Sequence, residues 1–284
     1  MKRRGKAMKY VYVIWILFLI IQKVGNLSGR EKEEILPKKF SKALMYEYEK
    51  GQYSVIMKKT SALRAVNSFS IKRIYEDGEI FYKFTQKGSG DYDKYEDVFW
   101  EVEAKIKEKK GFLYPIYTIH TIRDKKNNDI IVKYEKHYNY KKKRVYYLAT
   151  NNEGKVLKKR VFPIKGKTVD DFTMVYFLRS FISHLDEEGY RSFYLLTSEP
   201  RLYKIDIKVI GKENVKLPIG KREAIKIRII PNLGLLTGIA KALVPPTYLW
   251  FEKKTPHIWL KYEGLESGLG SAHVILYLTK FDSF

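Results

Sequence analysis

The sequence predicts a mainly β protein, built as a large antiparallel curved sheet or open barrel that carries one amphipathic helix. Apolar and polar residues alternate along most of the chain, and 23 Tyr and 15 Phe are present among 284 residues. Both features fit a pleated, half-buried surface. Turn signals separate the alternating runs at short intervals, which favours antiparallel hairpins over βαβ units. A single segment, over about residues 169–186, has helical periodicity.

The N-terminal segment predicts export. The apolar run Tyr10–Ile21 follows a wholly basic start, which is the pattern of an export signal. The run has 12 residues, whereas a membrane-spanning helix needs roughly 20, yet no small-x-small cleavage triplet stands out after it. Residues 1–28 are therefore either a signal peptide or an N-terminal membrane anchor, residues 29–40 a linker, and residues 41–284 a single β-rich envelope domain.

Alternating runs predict the strands of the first half of this domain. The strongest hairpin signal is Asp77-Gly78 between two such runs. The stretch Gly88–Gly90 is expected to be turn-like because it carries two glycines and a serine. The predicted strands of this half span residues 44–49, 53–57, 69–75, 80–84, 95–106, 112–122, 129–139, 144–150 and 155–162.

The predicted helix follows a segment that resembles a capping box. Thr168 would be the N-cap, with Asp171 three positions later, and Gly189 would end the helix. The residues that share its apolar face are Val175, Leu178, Ile182 and Leu185. Strands are predicted to resume over residues 190–197, 201–210, 222–230, 247–252, 257–263 and 271–281. Whether the two halves form one sheet or two packed halves stays open.

Charge and compartment limit the partners. The formal net charge is +23, and six basic residues without an acidic one lie in residues 1–28, so the remaining body carries +17. Such a field favours anionic partners. Export excludes nucleic acid and leaves anionic lipid or an envelope polymer, together with the inner membrane if the leader is not cleaved. The alternative to an anionic partner is that these charges form a Lys- and Glu-rich surface of the kind found in heat-adapted proteins.

The chain has no Cys, which excludes disulfides and a lipid-modified cysteine.

No motif predicts catalysis. The five His form no HxH, HxxxH or HExxH pair, which are spacings typical of metal ligands. The sequence also lacks the GxSxG motif of serine hydrolases and a glycine-rich phosphate loop. We therefore expect a protein that is not an enzyme and holds no metal or cofactor.

Two segments are candidate binding sites. A basic run between tyrosines, as found here, can grip a polyanion while aromatic rings stack, although lysines at a hairpin tip also discourage edge pairing. The residues of this run are Lys141, Lys142, Lys143 and Arg144. The second segment, residues 231–246, carries one charge and is either a lid buried over the core or a lip that meets acyl chains. Its candidate contact residues are Leu235, Leu236, Ile239 and Leu243.

The C-terminal half resembles a known family. Asp170–Arg179 is similar to an Asp-x-x-Ser-x-x-Tyr-x-x-Arg helix, with Thr173 in place of the usual Ser. Val209–Gly220 with the strand that follows it, and Leu249–Pro256 with its tryptophan, resemble two further blocks. These blocks belong to the exported bacterial family known as domain of unknown function 3108, and the likeness covers about residues 40–281. The resemblance implies an exported, β-rich envelope protein and brings no established activity.

Arg179, the last residue of the first block, has two interpretations. It either fixes the helix against the sheet or contacts a ligand.

Together these observations predict an exported, noncatalytic envelope protein that binds an anionic amphipathic molecule, such as a lipid or a lipopolysaccharide-like molecule. A protein–protein scaffold or assembly factor in the envelope is the alternative, and a hydrolase acting on envelope polymers is a third candidate.

Overall fold

The computed structural model describes residues 46–109, 112–182, 190–232, 245–267 and 270–284. The predicted leader and linker lie outside these ranges. Within the described ranges, no helix is both long and apolar enough to cross a membrane.

Eight consecutive antiparallel strands make up the first half of the described fold. The strands predicted between residues 95 and 162 are confirmed, and the reversal at Asp77-Gly78 joins two long strands as expected. The strands of this half are β1 Tyr48–Met57, β2 Leu63–Glu76, β3 Glu79–Tyr92, β4 Tyr95–Lys109, β5 Phe112–Asp124, β6 Ile130–Asn139, β7 Arg144–Thr150 and β8 Val156–Pro163.

The second half starts with a short strand and a helix and continues as a second meander. Gly220, with a φ of 102°, reverses the hairpin between its two longest strands. The elements of this half are β9 Thr168–Asp170, α1 Met174–Arg179, β10 Tyr190–Leu196, β11 Leu202–Leu217, β12 Gly220–Asn232, β13 Thr247–Glu252, β14 Trp259–Leu265 and β15 His273–Ser283.

The two halves form one sheet of 15 strands, because β1 pairs with β15 in its middle. The order runs from β8 back to β1, then from β15 back to β9. All described pairs are antiparallel except β9 with β10. The edge strands are β8 and β9, so the curved sheet stays unclosed, and the predicted fold class is confirmed.

The inward faces of the strands and α1 share one apolar core. In β4, for example, Val98, Trp100 and Val102 are buried and alternate with exposed residues. Phe177 of α1 packs on Phe112 of the first half and on Phe193 of the second, with ring centroids 6.1 and 5.7 Å apart. The helix therefore fills the space that the curved sheet encloses.

The described helix is shorter than the predicted one, because it starts later and ends at Arg179, while Leu185 and the predicted end at Gly189 lie outside the described residues. It begins at Met174, because Thr168–Asp170 forms β9 instead. Thr168 does not cap a helix, since its hydroxyl donates to the carbonyl of Lys165. All six residues of α1 are buried, so the segment is covered on every side, as expected of a helix enclosed by a sheet.

The stretch Gly88–Gly90 also differs from its prediction, since it lies inside β3 rather than in a turn. Gly88 pairs with Trp100 on β4, and the indole ring of Trp100 occupies the space where a Cβ of residue 88 would stand. Glycine is present here because of a close side-chain approach, and the reversal comes later, between β3 and β4.

We expect Gly88→Ala to lower the free energy of unfolding by about 1–3 kcal/mol, because the added methyl group would overlap the indole of Trp100. Gly211→Ala is the matched control, since nothing lies within 4 Å of a Cβ built at that strand position. Urea unfolding followed by tryptophan fluorescence measures both. Equal stabilities of the two variants would contradict the packing argument.

Candidate functional site

Asp170 joins the two ends of the unclosed sheet. This buried residue of β9 accepts hydrogen bonds at Oδ2 from Thr118 of β5 at 2.7 Å and from Tyr138 of β6 at 3.0 Å. Its Oδ1 accepts from the amide of Thr173 at 3.0 Å, and its own amide donates to the Thr173 hydroxyl at 3.2 Å. Thr173 thus supplies the same hydroxyl as the Ser that the family pattern usually has there.

A second connection runs beside Asp170. The side chain of Lys136, on β6, is 2% exposed, and its ammonium lies 2.6 Å from Asp171 Oδ1 and 3.3 Å from the carbonyl of Leu196. Ser198 donates its amide and its hydroxyl to Asp171 Oδ2. Burial alone would raise the pKa of Asp171, but Lys136 and Ser198 bring that pKa below its ordinary value. We call the following residues the polar seam: Thr118, Lys136, Tyr138, Asp170, Asp171 and Ser198.

His120 lies next to the polar seam, in an aromatic environment. Its ring contacts Phe172 and Tyr92 edge-on, with centroids 4.8 and 5.3 Å apart. Burial lowers the pKa of His120 to about 3, although Asp171 opposes the shift. The imidazole is therefore neutral at physiological pH. No group of three His, Asp or Glu side chains that could hold a metal ion occurs among the described residues.

Arg179 forms a buried ion pair at the centre of the sheet. Its two terminal nitrogens lie 2.8 and 2.9 Å from the carboxylate oxygens of Glu49 on β1, and its Nε donates to the carbonyl of Pro256 at 2.9 Å. The side chains of Arg179 and Glu49 are 2% and 1% exposed. These contacts fit the structural interpretation of Arg179. The ligand-contact interpretation stays a prediction.

The basic run lies at the hairpin tip between β6 and β7, and we call Lys141–Arg144 the cationic tip. All four residues are exposed. The backbone of the tip is fixed, because the Lys142 amide donates to Asn139 Oδ1 at 2.8 Å and the Ile164 amide donates to the Lys143 carbonyl at 3.0 Å.

The tyrosines around the cationic tip divide into two groups. Tyr138 and Tyr147 are buried and donate their hydroxyls to Asp170 and to the Ser198 carbonyl. Tyr140 and Tyr146 are 37% and 39% exposed. The tip therefore presents cations beside two partly exposed rings, while the other two rings belong to the core and the polar seam.

The predicted site residues do not form one cluster. Arg179 is bound to β1, which β2–β5 separate from the cationic tip in the sheet. The candidates of the apolar loop, Leu235, Leu236, Ile239 and Leu243, lie outside the described residues.

Sequence reasoning missed Glu49 and Lys136, because each looks like an ordinary charged residue of an alternating strand. It also missed the exposure of β8, since VLKKRV alternates too irregularly to reveal which face is covered.

Removing either partner of the Arg179–Glu49 pair should cost about 3–5 kcal/mol of unfolding free energy, because the other charge stays buried without its counter-ion. The variants are Arg179→Met and Glu49→Gln, and urea unfolding is the measurement. In the double variant Glu49→Gln/Arg179→Met the cost should be less than the sum of the single costs. Lys87→Met, which breaks an exposed pair with Glu101, is the control and should cost below about 1 kcal/mol. If breaking the Arg179–Glu49 pair cost no more than breaking the exposed Lys87–Glu101 pair, the structural role of the buried pair would be contradicted.

His120 should make the protein less stable in mild acid. The unfolded chain binds a proton at this ring near pH 6.5, whereas the folded protein does so only near pH 3. Its stabilising contribution is thus complete above pH 6.5 and is lost as pH falls from 6.5 toward 3. Between pH 7 and pH 5 the loss amounts to about 2 kcal/mol. His120→Phe should remove this part of the pH dependence in urea titrations, and an unchanged slope would show that other groups cause it.

The fold resembles a solved structure. A β-barrel-like protein of domain of unknown function DUF1849 from Brucella abortus matches with a TM-score of 0.51 at 9% identity, over 85% of this chain and 100% of that one. Two weaker matches are a candidate lipoprotein from Parabacteroides distasonis and a candidate exported protein with a YmcC-like fold from Bacteroides fragilis. The first has a TM-score of 0.33 at 8% identity, over 84% of this chain and 98% of that one. The second has a TM-score of 0.34 at 6% identity, over 83% of this chain and 95% of that one. No curated protein matches the sequence.

The family assignment rests on a longer match than the three blocks. The model of the family described as "Protein of unknown function (DUF3108)" matches residues 52–274, a range that begins in β1 and ends in β15. It includes the polar seam, α1 and the cationic tip. The chain belongs to the DUF3108 family.

Proposed function

We propose that this protein is a noncatalytic, exported envelope protein that binds an anionic amphipathic molecule, such as a lipid or a lipopolysaccharide-like molecule, on its outer surface. One observation carries the proposal: four exposed cations of the cationic tip adjoin exposed apolar side chains. Tyr146 is 39% exposed, and Val161, its partner across the β7–β8 ladder, is 52% exposed. The basic, apolar start of the sequence supports export.

The cationic tip matches the two chemical parts of such a ligand. Lysine and arginine side chains attract phosphate or carboxylate headgroups, and each contributes about 1 kcal/mol near an anionic membrane surface. An apolar patch beside the cations gives the adjoining hydrocarbon a place to contact the protein. The fixed backbone of the tip keeps these groups together, so binding incurs no cost for ordering the backbone.

The outer surface is a better place for this ligand than the inside of the curved sheet. Side chains from both halves of the sheet and from α1 form one core there. Two pockets bordered by described residues, of about 400 and 250 Å³, lie among exposed side chains such as Lys87 and Lys253 rather than in this core. Both have charged residues in their walls, Arg123 in the first and Glu223 in the second. An acyl chain needs an apolar pocket.

A second candidate function is to hold another envelope protein as a scaffold. It is favoured by a different observation, which is that β8 ends the sheet with an unpaired outer edge among the described strands. Sheet edges of this kind accept an added strand from a partner.

The lipid proposal predicts selective binding to anionic vesicles. The purified protein should co-sediment with vesicles of phosphatidylglycerol and phosphatidylcholine, and much less with phosphatidylcholine alone. Changing all four residues of the cationic tip to Gln should lower the partition coefficient at least about tenfold, because four charges at about 1 kcal/mol each are lost.

The matched control changes four exposed lysines elsewhere, namely Lys59, Lys126, Lys216 and Lys221. It removes the same net charge and should retain most of the binding. Equal losses in both variants would mean that net charge alone attracts the vesicles, and no binding by the unmodified protein would reject the lipid proposal.

A further inference from the structure

The strand β8 is covered less than β7, the strand with which it pairs. Its first six residues are exposed, whereas every second residue of β7 is buried. Three of the exposed residues are large and apolar: Val156, Leu157 and Val161 are 55%, 54% and 52% exposed. Only its C-terminal end packs, through Phe162, on a small cluster that includes Leu196.

The backbone of β8 has groups that face away from β7. The amide of Ile164 donates to the Lys143 carbonyl, which fixes the hydrogen-bonded register at this end. Hydrogen-bonded and non-hydrogen-bonded pairs alternate along an antiparallel ladder. The amides and carbonyls of Lys159 and Val161 consequently point toward the outer edge, where no described strand pairs with them.

The charge of β8 indicates which kind of strand would fit. Lys158, Lys159 and Arg160 are consecutive and exposed, so they place cations on both faces beside the free edge. A second copy of the chain would bring these cations against one another, and like charges on adjacent strands are destabilising. An acidic segment would place carboxylates beside them.

We propose that the outer edge of β8 binds an extended acidic segment of a partner protein as an added strand. Main-chain hydrogen bonds to Lys159 and Val161 would hold the segment, and the carboxylates on one of its faces would pair with Lys158 and Arg160, which share a face of β8. Its apolar side chains would cover Val156, Leu157 and Val161. The inference rests on the scaffold form of the proposed function and names the chemistry of the partner.

Amide hydrogen exchange by NMR on the full chain tests the added strand. The probe is a synthetic nine-residue peptide in which Glu and Val alternate. The amides of Lys159 and Val161 should exchange rapidly in the free protein and become protected when the peptide is added. A peptide with Lys in place of Glu, and a Glu–Val peptide N-methylated at alternate residues to block the ladder, should give no protection.

Protein variants test the charge and the edge separately. Changing Lys158, Lys159 and Arg160 to Gln should weaken binding of the Glu–Val peptide at least about tenfold, which corresponds to about 1.4 kcal/mol. Val161→Pro removes an amide that does not bond to β7 and should abolish protection at Lys159. The four-Gln variant of the cationic tip should bind the peptide as the unmodified protein does.

The outcomes separate this inference from the lipid proposal. Protection at β8 by the Glu–Val peptide alone supports the inference, whatever the vesicles show. Absence of protection at millimolar peptide, or equal protection by the Lys and N-methylated peptides, overturns it. Vesicle binding that depends on the cationic tip, without peptide protection, overturns the added strand and leaves the lipid proposal standing.

Discussion

A curved sheet whose edge strands do not pair with each other needs side chains to hold its ends together. In this protein the polar seam does so, through the bonds of Asp170 to β5 and β6 and the ion pair between Lys136 and Asp171. Each of these charges is costly to bury and would be strongly destabilising without its partners. The arrangement therefore favours one particular overlap of the sheet ends, because a shifted overlap would leave buried charges unpaired.

The segment from Asp170 to Arg179 links this seam to the middle of the sheet. Asp170 and Thr173 start it at the seam, the ring of Tyr176 packs on Phe84 of β3 with centroids 5.1 Å apart, and Arg179 reaches Glu49 on β1. The four positions of the family pattern are thus spaced along one short piece of chain that connects distant strands. This gives a physical reason for the pattern without any contact to a ligand.

The sequence predicted the strands well, because alternation with a period of two is a local property of a half-buried strand. It predicted the cationic tip for the same reason, since Lys141–Arg144 stands between two alternating runs. It did not predict that Thr168–Asp170 would form a strand, because β10, its partner, lies beyond the helix in the chain. Nor did it identify Glu49 as the counter-ion of Arg179, since the two are 130 residues apart and only the folded sheet brings them together.

The pairing of β1 with β15 has a consequence for the order in which the protein can fold. Each half of the sheet is a meander of sequence neighbours and can form early, whereas Gln52 and Thr279, which bond across the β1–β15 ladder, are 227 residues apart. Closing such a long loop is slow compared with local hairpin formation. Until it closes, β1 and β15 are both open edges, and two chains could exchange halves through them. The risk of domain swapping is thus concentrated at the central ladder rather than at the outer edges.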